Sequence, residues 1–537
     1  MQSRQVLVLF LATLAISDVR TKEVQECEEL SEHSYSYICR EIETFEQLQQ
    51  YVQEDWQSVK IVNEHRAIES DGQMLDKLSK LQQLDLSAAG GFTLGERGLR
   101  DLIALQQLNL SHSELDELHA KHFADNASLV SLDVSHNDLQ SIERTLMRQL
   151  PNLVYANFSD NAIASVEPDA FKDQLYLRHL DLSTNEQENI TIGSNANLRY
   201  LSISNNNVRD FPWCRLRGLP RLEELHLHSN WLETLDMAIF YALPQLRVLN
   251  VSNNNIYAIQ RNLFVGPAPE KAPLLQVLDF SANNVKLLEA DLFNRLQHLE
   301  ALNLHYNQIE KIAASAFGRL SKLKSLHLQD NNICELPDEV FGNLTALQLL
   351  DVSKNNIKQL SANVFGSGVL RQLSWLDLSH NNIEQLHPLA FSSLPYLQQL
   401  RLARNKLISL DIRMFAPLRR LQLLTLGENR LQDIEQDVLD TLDNVEQLEI
   451  NNNRLTFLAA LQLPQLRRLR IEGNPWQCLC LDELTARLDE RGVSYASANS
   501  AYYSGRKALC VVTPLEQCIR DLEAVRAHRI VESYEEI

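Results

Sequence analysis

Histidines and cysteines are the residues of this 537-residue chain whose types and spacing invite chemistry. His226 and His228 stand two apart, as two ligands on one strand would, and His305 and His327 follow in related segments. One ion needs all its ligands within bonding reach. Strands stacked ~4.8 Å apart leave the two histidine groups ~15 to 20 Å apart, and no Cys or carboxylate cluster completes either. They read as solvated side chains, and no metal or cofactor is expected. The chain has no H-E-x-x-H, no G-x-S-x-G, no phosphate loop and no dinucleotide fingerprint, so no enzyme is expected either.

The cysteines point to a compartment. Six of the eight, Cys27, Cys39, Cys478, Cys480, Cys510 and Cys518, lie near the two ends of the chain, where an exposed core edge needs a lid. Cys27 and Cys39 are spaced to close one small loop, while the spacing of the last four allows three connectivities. Residues 1–17 have the build of a cleavable signal peptide: Arg4, an apolar run from Val6 to Ile16, and the small-residue exit Ala15-Ile16-Ser17. No later apolar run approaches the ~18 residues of a membrane span, so a soluble, secreted protein is expected. Cys214 and Cys334 are left over. They lie about 25 Å apart by strand count, far beyond the ~7 Å limit of a disulfide, and either stays a free thiol or carries an interchain bond to a disulfide-linked partner. Other repeats place Gln, Glu, Lys or Ser at the position of Cys334, which suggests an exposed flank.

What positions these residues is a phrase, L-x-x-L-x-L-x-x-N-x-L/I-x-x-L, repeated 17 times at a dominant period of 24 residues from Leu81 to Asn474. Leucines at phrase positions 1, 4 and 6 alternate as a half-buried strand requires, which leaves positions 3, 5 and 7 facing water. The Asn at position 9, from Asn137 through Asn331 to Asn474, is suited to satisfy backbone groups turned inward at the bend; the first two repeats carry Ala89 and Ser113 instead. Ten residues on, phenylalanines such as Phe264, Phe293, Phe317 and Phe341 are expected to stack along the opposite side. The fold class is therefore an α/β solenoid, a leucine-rich-repeat horseshoe whose concave side is a parallel β-sheet. Its segments are residues 1–17, signal peptide; 18–80, N-terminal cap; 81–473, repeats; 474–518, C-terminal cysteine cap; and 519–537, a short acidic, helix-like tail around Leu522, Val525 and Ile530. The loop Gly266–Pro273 lengthens the eighth repeat and reads as a tolerated insertion.

An open arc of this kind is a surface for binding and has no closed cleft for catalysis. The net charge of -20 argues against nucleic acid or an anionic membrane as partner. Six glycosylation sequons, at Asn109, Asn126, Asn157, Asn189, Asn250 and Asn343, fit a secretory route. Asn109, Asn157 and Asn250 fall at position 5; sugar on all three would cover the N-terminal half of the concave face and leave later repeats open. On those later repeats Trp375, with Leu349, Arg401, Arg404 and His327 around it, combines an aromatic and a guanidinium in the way binding hot spots do. Earlier strands mostly lack such groups. An extracellular protein or glycan ligand is therefore expected at repeats nine to fifteen.

The signal peptide, the 24-residue repeats with their Asn and Phe ladders, and the motif Asn474-Pro475-Trp476-Gln477-Cys478-Leu479-Cys480 together resemble secreted animal leucine-rich-repeat proteins. That group includes the acid-labile subunit of growth-factor-binding complexes, Toll-receptor ectodomains and insect leucine-rich immune proteins. The resemblance implies disulfides from Cys478 to Cys510 and from Cys480 to Cys518. It departs at the N-terminal cap, which usually has four cysteines and here has two, and at the tail, which lacks coiled-coil heptads. It implies a soluble recognition or signalling cofactor, in innate immunity or another extracellular role; the alternative is an extracellular-matrix or adhesion component.

Overall fold

The structure, a computed structural model, describes residues 27–30, 35–53, 55–63, 68–69, 76–90, 92–93, 99–123, 126–189, 192–210, 216–235, 239–264, 272–458, 462–496, 509–513, 517–518 and 520. The expected signal peptide, Cys214, most of the Gly266–Pro273 loop and nearly all of the tail lie outside them. The chain forms two compact units, residues 1–231 and 232–537.

In the first unit, β1 (Cys27–Glu29) runs antiparallel to β2 (Ser36–Arg40) and sets Cys27 opposite Cys39, to which it is disulfide-bonded. Thr44 then caps α1 (Phe45–Tyr51) by accepting the Gln47 N–H, and α1 buries Phe45 and Leu48. Next come β3 (Ser58–Val62), β4 (Gln83–Ala88), β5 (Gln107–Asn109), β6 (Ser131–Asp133), β7 (Tyr155–Asn157), β8 (His179–Asp181), β9 (Tyr200–Ser202) and β10 (Glu224–His226). Each pairs in parallel with the next, from β2 onward. The parallel ladder thus starts upstream of Leu81. Val59 and Ile61 are buried there and do the work that leucines do later.

The second unit continues the pattern with β11 (Val248–Asn250), β12 (Val277–Asp279), β13 (Ala301–Asn303), β14 (Ser325–His327), β15 (Leu349–Asp351), β16 (Trp375–Asp377), β17 (Gln399–Arg401), β18 (Leu423–Thr425), β19 (Gln447–Glu449) and β20 (Arg468–Arg470). All are parallel neighbours in register. A lid closes the last layer. It consists of α2 (Cys478–Glu490), which buries Cys480, Leu481, Leu484 and Leu488, and β21 (Ser494–Ala496), paired to β20. Cys478–Cys510 and Cys480–Cys518 are the two disulfides of this lid, as the resemblance implied. Trp476 is buried beneath it and donates its indole N–H to the Ile471 carbonyl at 2.8 Å.

From the third repeat onward the coil turns on an asparagine that bonds several backbone groups at once. In the eleventh repeat, Asn331 Nδ2 donates to the carbonyls of Leu304, Leu328 and Gln329 at 3.0, 3.0 and 3.3 Å, and Oδ1 accepts the Ile309 N–H at 2.9 Å. These carbonyls belong to two successive repeats, so the amide stitches one coil to the next. The residue just before each asparagine sits in the left-handed region, with φ of 51° at Tyr306, 56° at Asp330, 52° at Lys354 and 56° at Arg404. None of these four is glycine, although Gly473 holds the same place before Asn474, and each non-glycine residue there costs roughly 1 to 2 kcal/mol, offset by the amide's bonds. Phe240, Phe264, Phe293, Phe317, Phe341, Phe365 and Phe391 stack in turn, centroids 5.6 to 6.4 Å apart, on the side of the coil away from the strands.

Candidate functional site

From β5 onward the strands are three residues long, and their middle residue is buried leucine in almost every coil, so the residues on either side must face outward. Parallel register then lines up side chains from successive repeats into columns. In the second unit this brings together Leu349, Trp375 and Gln399 in one column, and Asp351, Asp377 and Arg401 in the next. The Arg401 guanidinium carbon lies 5.3 Å from the centre of the Trp375 ring, and its Nη1 is 3.8 Å from Asp377 Oδ2. Arg401 Nε is buried without a hydrogen-bond partner. The cluster of Leu349, Trp375 and Arg401 expected from the sequence is therefore contiguous, and Trp375 is half-buried, as its column neighbours Leu349 and Gln399 are.

The other two residues of the expected site stand further out. His327 is on β14, opposite Asp351 in register and one strand beyond Leu349. Arg404 sits on the bend after β17, exposed, and is engaged by Glu428 at 2.8 Å. Burial pushes the Asp351 carboxyl above its ordinary value, and the Asp377 carboxylate adds to it. On the same bends Lys354 reaches Asp330 at 3.1 Å and lies 5.9 Å from the Tyr306 ring, which is exposed. The surface thus offers an aromatic, an aliphatic and a partly satisfied guanidinium within adjacent strands, with carboxylates beneath.

The strands of the first unit, expected mostly to lack such groups, hold no guanidinium at positions 3, 5 and 7 but do carry a run of half-buried rings. Tyr155, His179 and Tyr200 stack face to face, centroids 4.7 and 4.0 Å apart, and His226 tilts against Tyr200 at 5.1 Å. His226, read as a solvated residue, has a side chain only 20% exposed. The signal was in the sequence as three successive aromatic residues at position 3. It is obscured because the partners are 24 and 21 residues apart.

The sequons also divide. The Asn126 side chain is buried, with Nδ2 donating to the Leu102 carbonyl at 2.8 Å, so a glycan on that nitrogen is incompatible with this packing. Asn189 and Asn343 are exposed. Asn109, Asn157 and Asn250 are half-buried on the strand face, and each Oδ1 accepts the N–H of the serine two residues on. Asp133, Asp181 and Asp279 make the same turn to Ser135, Ser183 and Ser281. Asn-x-Ser at these positions is thus also a variant of the repeat's own turn. Cys334 is exposed and free, with Sγ 3.4 Å from the Asn332 carbonyl oxygen.

Three family profiles match this chain. That of the leucine-rich repeat region spans residues 278–486, the leucine rich repeat recurs at 79–139, 103–163, 127–186 and 220–268, and the two-copy leucine rich repeats cover 196–238. Together the three profiles cover residues 79–186, 196–268 and 278–486, so the chain carries leucine-rich repeats over most of its length. Podocan-like protein 1 of Mus musculus is 31% identical over 137 residues, 25% of this chain and 23% of that protein. Toll-like receptor 9 of Felis catus is 27% identical over 173 residues, 25% of this chain and 17% of that protein. This chain therefore matches less than a quarter of either relative's length. A leucine-rich-repeat protein of Leptospira interrogans has a solved structure similar to this one, with a TM-score of 0.60 at 25% identity, covering 78% of this chain and 96% of that one. Leucine-rich-repeat proteins of this kind mediate protein–protein or ligand interaction. Among the described residues no helix is long and apolar enough to cross a membrane.

Proposed function

We propose that this protein is an extracellular recognition protein whose second unit binds a protein partner through the strand face at Leu349, Trp375 and Arg401, with His327 and Arg404 at the rim. The observation that carries this reading is the Arg401–Trp375 contact at 5.3 Å, in which the Arg401 side chain stays 41% exposed. A bound carbonyl or carboxylate accepts from that guanidinium, while the indole and Leu349 supply apolar area at the centre. Disulfides at both ends and the Toll-like relative support an extracellular, immune-type role. The podocan-like relative favours the second reading, a matrix or adhesion component using the same face.

The test is capture from native extracellular fluid with crosslinking and mass spectrometry, run in parallel on wild type and Trp375→Ala. Truncating a central aromatic anchor typically costs about 2 kcal/mol or more, roughly thirtyfold in affinity. The partner should be lost with Trp375→Ala while secretion and thermal midpoint are unchanged. Equal recovery on both overturns the assignment of the site. Partners drawn from soluble fluid support the recognition role, and self-association or matrix proteins support the second reading.

A further inference from the structure

The ring ladder of the first unit ends abruptly. Tyr155 is covered on one face by His179, but its register partner on the other side is Ser131, whose hydroxymethyl group is too small to cover a phenol ring. His179 and Tyr200 are each covered on both faces, by Tyr155 and Tyr200 and by His179 and His226 respectively. The open ring face therefore falls at one place. Beside it stands Asp133, on the strand of Ser131, and beyond the ring stands Asp181, on the strand of His179.

The charge around this face has one sign. Positions 3, 5 and 7 of strands β4 to β10 carry Asp85, Asp133, Asp181 and Glu224 and no Lys or Arg. Asp85 is engaged by Lys60 at 2.8 Å, and Glu224 lies 3.5 Å from His226. Asp133 and Asp181 accept hydrogen bonds from Ser135 and Ser183, and Asp133 also from Asn157, but neither has a Lys or Arg partner among the described residues. Of the arginines on the flank, Arg199 is held by Glu223 at 2.8 Å. Burial pushes the His179 imidazole below its ordinary value, which disfavours a positive charge on that ring.

The second unit shows what completes such an arrangement. There an aromatic ring at position 3, Trp375, is covered by a guanidinium at position 5 of the next strand, Arg401, with the carboxylate of Asp377 at 3.8 Å. At Tyr155 the ring and the carboxylate are present, and among the described residues no Lys or Arg pairs with that carboxylate. We propose that the open face of Tyr155 above Ser131, beside Asp133, seats an arginine side chain from an extended basic segment of a protein partner. The guanidinium stacks on the phenol while its N–H groups bond the carboxylate, and the extended segment lies along the row of small serines at position 7. Sugar on Asn157 would occupy this same place, so the site requires that sequon to be unmodified.

The probe is a fluorescent peptide of alternating arginine and serine, with its citrulline counterpart as the neutral isostere, measured by anisotropy at physiological salt, where exposed long-range charge is screened. The arginine peptide should bind at least tenfold more tightly than the citrulline peptide. Tyr155→Leu should weaken binding at least fivefold and Asp133→Asn about threefold, while Tyr155→Phe, which keeps the ring, stays within twofold. Ser131→Leu covers the open face with an aliphatic side chain that offers no ring of its own, and should abolish binding even if Tyr155→Leu destabilises the fold. Glu310→Gln, on the second unit, should change nothing. Equal affinity for the two peptides, full binding by Ser131→Leu, equal loss with Glu310→Gln, or a glycan on Asn157 in the secreted protein overturns the proposal.

Discussion

The Arg401 guanidinium packs against the Trp375 indole from the neighbouring coil, with 5.3 Å between guanidinium carbon and ring centre. This cation–π contact restrains the indole before any partner arrives, which lowers the entropy lost on binding. Arg401→Lys keeps the charge and loses the plane. Affinity for a partner captured through Trp375 should fall about three- to tenfold, with a thermal midpoint within a degree or two of wild type. A variant that binds as tightly as wild type shows that the stack is ornamental to recognition.

Asn331 and Asn332 are adjacent and chemically identical, and the fold treats them oppositely. Asn331 is buried and makes four bonds to backbone groups, whereas the Asn332 side chain is exposed. Asn331→Ala leaves one N–H and the shared carbonyls of a left-handed bend without that partner, at a cost of roughly 1 to 3 kcal/mol or more. Asn332→Ala should stay within about 0.5 kcal/mol of wild type. Chemical denaturation of the two variants separates them, and comparable midpoints would refute the role given to the amide.

The repeat was legible because position 4 must be apolar and position 9 must carry an amide, and both demands recur at one period. The left-handed bends at position 8 were not. Tyr306, Lys354, His380 and Arg404 lack the Gly or Asn signature of φ near 54°, because the following asparagine, and not the residue's own preference, enforces the bend. Side-chain columns were only partly legible. Trp375 stood out as a residue type, but its cover by Arg401 depends on lateral packing that periodicity does not specify. The Tyr155–His179–Tyr200 ladder depends on register across a repeat shortened to 21 residues. Asn126 carries a sequon in sequence and core geometry in space, since the tripeptide pattern says nothing of which way the amide turns.

The thiols should separate by reactivity. Cys334 is exposed and free, while Cys27, Cys39, Cys478, Cys480, Cys510 and Cys518 are paired. Native protein treated with a maleimide should be labelled at Cys334 and at none of these six, as read by peptide mapping. If a covalent partner exists, non-reducing electrophoresis should show a larger species that Cys334→Ser or Cys214→Ser removes, and Cys334 should then resist labelling. Labelling at any of the four C-terminal cysteines would contradict the closed lid, whose loss of a disulfide typically costs about 2 to 5 kcal/mol.

His122 gives a pH dependence whose sign is fixed by its surroundings. The side chain is buried at the end of the single-turn helix Ala120–His122, and its Nδ1 accepts the His119 N–H at 3.2 Å, which requires that nitrogen unprotonated. Burial, and then the Lys121 charge, push its pKa down to about 4. In the unfolded chain it takes up a proton near ~6.5. As pH falls below that value the unfolded state gains a proton that the folded state refuses, so stability is full above it, declines toward about pH 4, and loses nothing further to this group below. The loss amounts to at most ~3 kcal/mol. His122→Gln keeps an acceptor and cannot titrate. Its thermal midpoint should therefore fall less than that of wild type between pH 7 and 4.5, and equal falls would mean that His122 titrates in the folded protein as it does in the unfolded chain.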